Sequence, residues 1–150
     1  MSFLVDTNLL LRSAEPSHPM YPEAINAIGI LRERGERLHI IPQNFIEFWN
    51  VYTRPVERNG LGHTSAEAAA EVNRLKGIFL LLPDTSTIYS EWERLVVTYG
   101  VMGVNVHDAR LVAAMLVHGL RHILTFNTRD FTRYTEIAAV HPTEVSSQQT

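Results

Sequence analysis

The stretch Ser2-Phe3-Leu4-Val5-Asp6-Thr7-Asn8-Leu9-Leu10-Leu11 decides the fold of this chain. Its first half has no polar alternation, so residues 2–6 read as a strand covered on both faces, the pattern of a parallel sheet between helices. The apolar residues then continue past Asp6 at a spacing suited to a helix. A carboxylate is thereby placed where a buried strand meets a helix. In open parallel sheets ligands bind beyond the carboxyl ends of the strands, and a charge there needs a metal, a partner or water to offset its desolvation. Asp6 is the first functional candidate.

Working outward, short β-like runs alternate with longer amphipathic stretches. Ala24, Ile25, Ala27, Ile28 and Leu31 fall at helical spacing within residues 21–35, and Leu38-His39-Ile40-Ile41 reads as a second strand. Pro42 opens a turn into a helix over 43–53 that carries Phe45, Phe48, Trp49 and Tyr52 with Glu47 among them. Pro55, Gly60 and Gly62 mark 54–63 as a loop, and Thr64 with Glu67 has capping-box spacing for a helix to about Lys76. Ile78-Phe79-Leu80-Leu81-Leu82 reads as a buried strand and 86–99 as a helix, with Ile88, Trp92, Leu95 and Val96 inward and Gly100 just past its end. Residues 105–118, apolar on several sides, suit a helix packed between other elements. His122–Thr125 and Ile137–Val140 complete the strands, and the polar residues beyond Pro142 are expected to fray. The alternation argues for an α/β layer structure around a mainly parallel sheet. One domain over 1–142 with a polar tail over 143–150 is the organisation expected of a chain this long.

Composition narrows the function. A hydrophobic content of 45% with 19% charged residues is globular, and no apolar run approaches the roughly 20 residues that cross a bilayer. A basic segment leading into a long apolar run is not seen at the start, so the expected location is the cytoplasm. The absence of cysteine fits that location and removes thiolate metal sites and cysteine catalysis. A net charge of -3 gives no basic coat for nucleic acid. Yet twelve of the thirteen basic residues are arginines, whose planar donors match phosphate oxygens.

In a parallel sheet the strands ending at Asp6 and at Thr125 deliver their next residues to one edge. The helix of Glu47 starts just after the second strand, and Asp108 opens the apolar helix, so three acids far apart in sequence can converge there. Carboxylates sharing a pocket raise one another's proton affinity or call for a cation. Hard oxygen donors without cysteine favour Mg²⁺ or Mn²⁺, and Mg²⁺ commonly binds through one or two carboxylates plus substrate phosphate. Each acid also has a structural reading: Asp6 as a helix cap, Asp108 as a macrodipole partner, Glu47 as a solvated position. The histidines are too scattered for a zinc site, and His107 points away from its neighbour Asp108. Gly-x-Ser-x-Gly, Gly-x-Gly-x-x-Gly and P-loop motifs are absent, and Asp6 lacks the second Asp of a dehalogenase-type phosphatase two residues on. Trp49, Tyr52, Trp92 and Tyr99 suit core packing rather than base stacking.

In motif order the chain resembles the PIN-domain ribonucleases, especially VapC-type toxins of toxin–antitoxin systems. The resemblance runs through Phe3-Leu4-Val5-Asp6-Thr7-Asn8, Asn44-Phe45-Ile46-Glu47-Phe48, His107-Asp108-Ala109 and Leu124-Thr125-Phe126-Asn127, with Asp130-Phe131 following. It implies a Rossmann-like PIN domain with about five parallel strands and Mg²⁺- or Mn²⁺-dependent hydrolysis of RNA that leaves a 5′-phosphate. Asp6, Glu47 and Asp108 match the three principal acids, as catalytic residues and metal ligands. The fourth family position, often Asp, is here Asn127, which offers a carbonyl oxygen and no charge. Thr7, Asn8 and Thr125 are expected to support the site, with Asp130 acting through water or capping the turn before Phe131. Arg12, Arg54, Arg110 and Arg129 are candidate phosphate contacts. A homodimer and a small antitoxin partner are implied, with no membrane association. Asn127 keeps open the alternative of a catalytically weak module that binds RNA or protein without turnover.

Overall fold

The computed structural model describes residues 1–147. Five strands, β1 (Ser2–Val5), β2 (Arg37–Ile40), β3 (Leu80–Leu81), β4 (His122–Leu124) and β5 (Ala138–Val140), form one sheet in the order β3-β2-β1-β4-β5. Every pairing is parallel, with Leu4 opposite both His39 and Ile123. β1 is central, which explains its unbroken apolar run. Its side chains alternate between two cores, as a period of two requires: Phe3 and Val5 join one, Leu4 the other.

Seven helices cover the faces. The Phe3 side packs α1 (Thr7–Ser13), α2 (Tyr21–Glu33), α3 (Pro42–Thr53) and α4 (Ser65–Lys76) through residues such as Leu10, Leu31, Phe48 and Leu75. The Leu4 side packs α5 (Ile88–Tyr99) and α6 (Asn105–Val117). In α6 the small residues Ala109, Ala113 and Ala114 are fully buried, which lets the helix lie close to its neighbours. Local signals account for the boundaries. Thr64 and Glu67 exchange reciprocal bonds of 2.9 and 3.1 Å at the start of α4, and Gly100 takes the left-handed conformation that ends α5.

Three expectations are corrected. The run Ile78–Leu82 yields only a two-residue strand whose Leu80 and Leu81 are exposed, because β3 lies at the sheet edge. Within α2, Ile25 is exposed and Ile30 takes a core position. The segment expected to fray is helical as α7 (Pro142–Ser147), packs on α2 and inserts Val145 into the core. Buried Pro142 and Val145 dock it, and Arg34 of the α2 C-cap donates to the Val145 carbonyl at 3.4 Å. Residues 148–150 of the expected tail lie outside the described residues.

Candidate functional site at the carboxyl edge of the sheet

Asp6 lies at the carboxyl end of β1, and its amide still donates to Leu124 of β4 at 2.9 Å. It is also the N-cap of α1. The backbone N–H of Thr7 donates to Oδ1 at 2.8 Å, and the Thr125 hydroxyl donates to Oδ2 at 2.8 Å. The capping and site readings of Asp6 are therefore compatible. Thr125, fully buried just past β4, also accepts from the Asn127 backbone N–H at 3.0 Å and the Asn8 amide at 3.4 Å. Its single proton is thus directed to Asp6, and Asn8 reaches Asp6 only through Thr125.

Glu47 arrives from the second turn of α3. The Thr7 hydroxyl donates to its Oε1 at 2.7 Å, and the Gln43 amide donates to its Oε2 at 3.1 Å. Asn44, fully buried, accepts from the Ile41 N–H at 2.9 Å and donates to the Thr7 oxygen at 3.2 Å. Because Thr7 accepts from Asn44 and the Glu47 carboxylate only accepts, the Thr7 hydroxyl points its proton at Glu47. Asn44 and Gln43 brace Thr7 and Glu47, contacts that the sequence reading did not single out. Their signal was two amides in the first turn of the helix that carries Glu47.

Asp108 enters from the first turn of α6 and is half-buried. Burial, followed by the charges of Asp6, Asp130 and Glu47, pushes its carboxyl up to about 7, with Arg133 opposing. Burial likewise raises Asp6 to about 6, against the lowering hydrogen bonds from Thr125 and Thr7 and alongside the charges of Glu47 and Asp130. Glu47 and Asp130 thus act on both Asp6 and Asp108 across this edge. Among the described residues, however, no three His, Asp or Glu side chains form a closed cluster of metal-ligand spacing. Hard oxygen donors of this kind fit a divalent ion that keeps most of its waters and needs only one or two protein carboxylates.

Other candidates separate. Asn127 is exposed at the N-cap of a 3₁₀ turn over Thr128–Phe131. Asp130 sits inside that turn, so it is not the cap, and its charge acts on both Asp6 and Asp108. Arg12 pairs with Glu15 at 2.7 Å, and Arg54 donates to the Asn59 carbonyl at 3.1 Å, bracing its own loop. Arg129 is exposed on the 3₁₀ turn. Arg110 reaches Gln43 at 3.0 Å and Asp84 at 3.4 Å, in a groove of about 560 Å³ that Glu47 and His107 also line. Arg133, missed in sequence, is the cation that acts on Asp108. A second groove of about 570 Å³, lined by Phe45, Ile46, Trp49 and Leu81, contains no acid. Of the aromatics expected in the core, Tyr52 is buried and stacks on Phe48, whereas Trp49 borders that second groove.

The fold has solved counterparts. VapBC2 from Rickettsia felis, crystallised with a DNA fragment from its promoter, superposes with a TM-score of 0.71 at 10% identity, over 94% of this chain and 98% of that one. FitAcB from Neisseria gonorrhoeae gives 0.67 at 16% identity over 95% and 98%. VapC20 from Mycobacterium tuberculosis, a toxin that cleaves the sarcin-ricin loop, gives 0.59 at 18% identity over 81% and 86%. At such identities the likeness is one of fold. No curated protein sequence matches the chain significantly. The sequence pattern itself is more decisive, since the PIN domain model spans residues 3–137 and so takes in Asp6, Glu47, Asp108, Asn127 and Asp130 together. An all-parallel sheet with acids gathered at its carboxyl edge and a family match across nearly its whole length lead to one conclusion: the chain belongs to the PIN domain family.

Proposed function

We propose that this protein is a metal-dependent ribonuclease that hydrolyses RNA phosphodiester bonds. The observation that carries the reading is the gathering at one sheet edge of Asp6 after β1, Glu47 of α3 tied to Thr7, and Asp108 in the first turn of α6, where burial and neighbouring acids raise Asp6 to about 6 and Asp108 to about 7. Carboxylates kept partly protonated in this way are stabilised as anions when a divalent cation replaces the protons. In this reading Asp6 and Asp108 hold Mg²⁺ or Mn²⁺, with the Asn127 carbonyl oxygen as a further neutral donor. When bound, the ion supplies charge neutralisation at the phosphate and acidifies a water. Glu47, fixed by Thr7 and Gln43, orients the attacking water and accepts its proton. Arg110, Arg129 and Arg133 receive the phosphate backbone, and the product carries a 5′-phosphate. Arg110 is also engaged, with Gln43 and Asp84, but lines the groove beside Glu47, whereas Arg12 and Arg54, bonded to Glu15 and Asn59, do not line it and contribute indirectly.

Likeness to VapBC and FitAB assemblies supports a role as the toxin of a toxin–antitoxin pair in the cytoplasm, working as a homodimer restrained by a small antitoxin. Among the described residues no helix is long and apolar enough to cross a membrane. A second reading rests on Asn127, whose neutral side chain weakens the acidic set: a module that binds RNA without cutting it. Purified protein incubated with single-stranded RNA and Mn²⁺ or Mg²⁺ decides between them. Cleavage leaving 5′-phosphates, stopped by EDTA, supports the enzyme; saturable binding with no cutting supports the module.

A further inference from the structure

We propose that Gln43 is a positioning residue that ties the helix of Glu47 to the helix of Asp108 and so sets the separation of the two acids. The inference rests on the ribonuclease reading for its consequence, although the link itself is structural. α3 packs in the core on the Phe3 face of the sheet and α6 in the core on the Leu4 face. Only Ile41, the N-cap of α3, reaches the Leu4-side core where Ala109 of α6 lies, so apolar packing seats the two helix starts at one point and leaves the polar side chains of their first turns to be tied across the carboxyl edge. The Gln43 side chain, 8% exposed, crosses that edge. Its amide nitrogen donates to Glu47 Oε2 at 3.1 Å within α3 and to the His107 carbonyl of α6 at 2.8 Å. Its oxygen accepts from Arg110 Nη1 of α6 at 3.0 Å.

The chemistry admits only this orientation of the amide. Turned over, its oxygen would face two acceptors, Glu47 and the His107 carbonyl, and its N–H groups would face a guanidinium that only donates. Both protons are spent and the carbonyl is used, so one buried side chain orders a carboxylate, the backbone beside Asp108 and a cation of the groove together. No other residue type of this size supplies two donors and an acceptor in that plane. Glutamate at this position would keep the Arg110 contact while setting a charge against Glu47 and the His107 carbonyl.

The test compares wild type with Gln43→Met and Gln43→Glu, using Mn²⁺ binding followed by electron paramagnetic resonance, backbone amide exchange, and cleavage of single-stranded RNA. Supports behind metal ligands typically change affinity by about 10–100-fold. Gln43→Met is expected to weaken Mn²⁺ binding about tenfold, to speed amide exchange over residues 105–109 while β1 and β4 keep wild-type rates, and to lose cleavage that returns in part at higher Mn²⁺. Gln43→Glu, the same shape, is expected to speed exchange over the same residues. A merely structural loss would lower the folded fraction without shifting the Mn²⁺ dependence, and that result would overturn the proposal. So would unchanged exchange at 105–109 in both folded variants, whatever the cleavage result. If wild type neither binds Mn²⁺ nor cuts RNA, the ribonuclease reading fails instead, and the exchange rates still decide whether Gln43 joins the helices.

Discussion

Asp6 and Asp108 reach the same sheet edge by opposite means. Asp6 ends a central strand, is nearly sealed from solvent, and has a donor on each oxygen from Thr7 and Thr125. Asp108 opens a helix, is half-buried, and among the described residues has no side-chain hydrogen bond holding it. The better-buried acid is raised less, to about 6 against about 7: its two donors favour the anion, whereas Asp108 has only the Arg133 charge in its favour and carries the Asp6 charge against it. One wall of the site is fixed in advance; the other is adjustable and depends on α6 being held in place.

Removing either charge should have the largest effect. Asp6→Asn and Asp108→Asn are each expected to lower RNA cleavage by roughly 10²–10⁴-fold, the range for losing a group that acts on charge or protons in the transition state. Single-turnover rates at fixed Mn²⁺ check this, and retention of more than a tenth of wild-type activity in either would remove that acid from the mechanism.

The pH dependence of stability separates the two acids next. A carboxyl whose folded-state pKa lies above its unfolded value stabilises the fold fully below the unfolded pKa, and that contribution is lost as pH rises through the folded one. For Asp6 the window runs from about 4 to 6 and for Asp108 up to about 7. The metal-free protein should therefore lose stability between pH 4 and 8 from these groups, by at most about 3 kcal/mol from Asp6. Denaturant unfolding across that range in EDTA measures it. Asp6→Asn should flatten the lower part of the slope and Asp108→Asn the upper part; identical slopes in all three proteins would refute the assigned shifts.

Thr125→Val tests the fixed wall alone. It removes the donor to Asp6 Oδ2, so Asp6 should become harder to ionise, Mn²⁺ binding should weaken about tenfold, and stability should fall by about 1–2 kcal/mol. The smallest effect belongs to Asn127→Asp. An added carboxylate on the exposed 3₁₀ turn should raise Asp108 further and tighten Mn²⁺ by a few-fold, which calorimetric titration would detect.

These contrasts also explain what could be read from the chain. Phe3-Leu4-Val5 announced a strand buried on both faces, and Thr64 with Glu67 announced a helix start, because each depends on local pattern alone. β3 was overread because five apolar residues in a row look alike whether a strand is central or at the edge. α7 was missed because its docking depends on Val145 meeting a surface that α2 supplies. At the site, acids at strand and helix ends could be picked out by position. Gln43 and Asn44 left only a partial signal, two amides in the first turn of the Glu47 helix, because their bonds to Arg110 and Thr7 span 67 and 37 residues, and Arg133 left none, because it acts on Asp108 from a distant part of the chain.

If Asp6 and Asp108 together hold a divalent cation, the thermal unfolding midpoint at pH 8 must differ between Mn²⁺ and EDTA. At that pH both carboxyls are ionised and repel across the edge. Wild type should melt several degrees higher in Mn²⁺, as binding to the folded state alone requires, while Asp6→Asn and Asp108→Asn should each lose most of that rise. Equal midpoints in Mn²⁺ and EDTA for wild type, or an undiminished rise in both variants, would contradict the account.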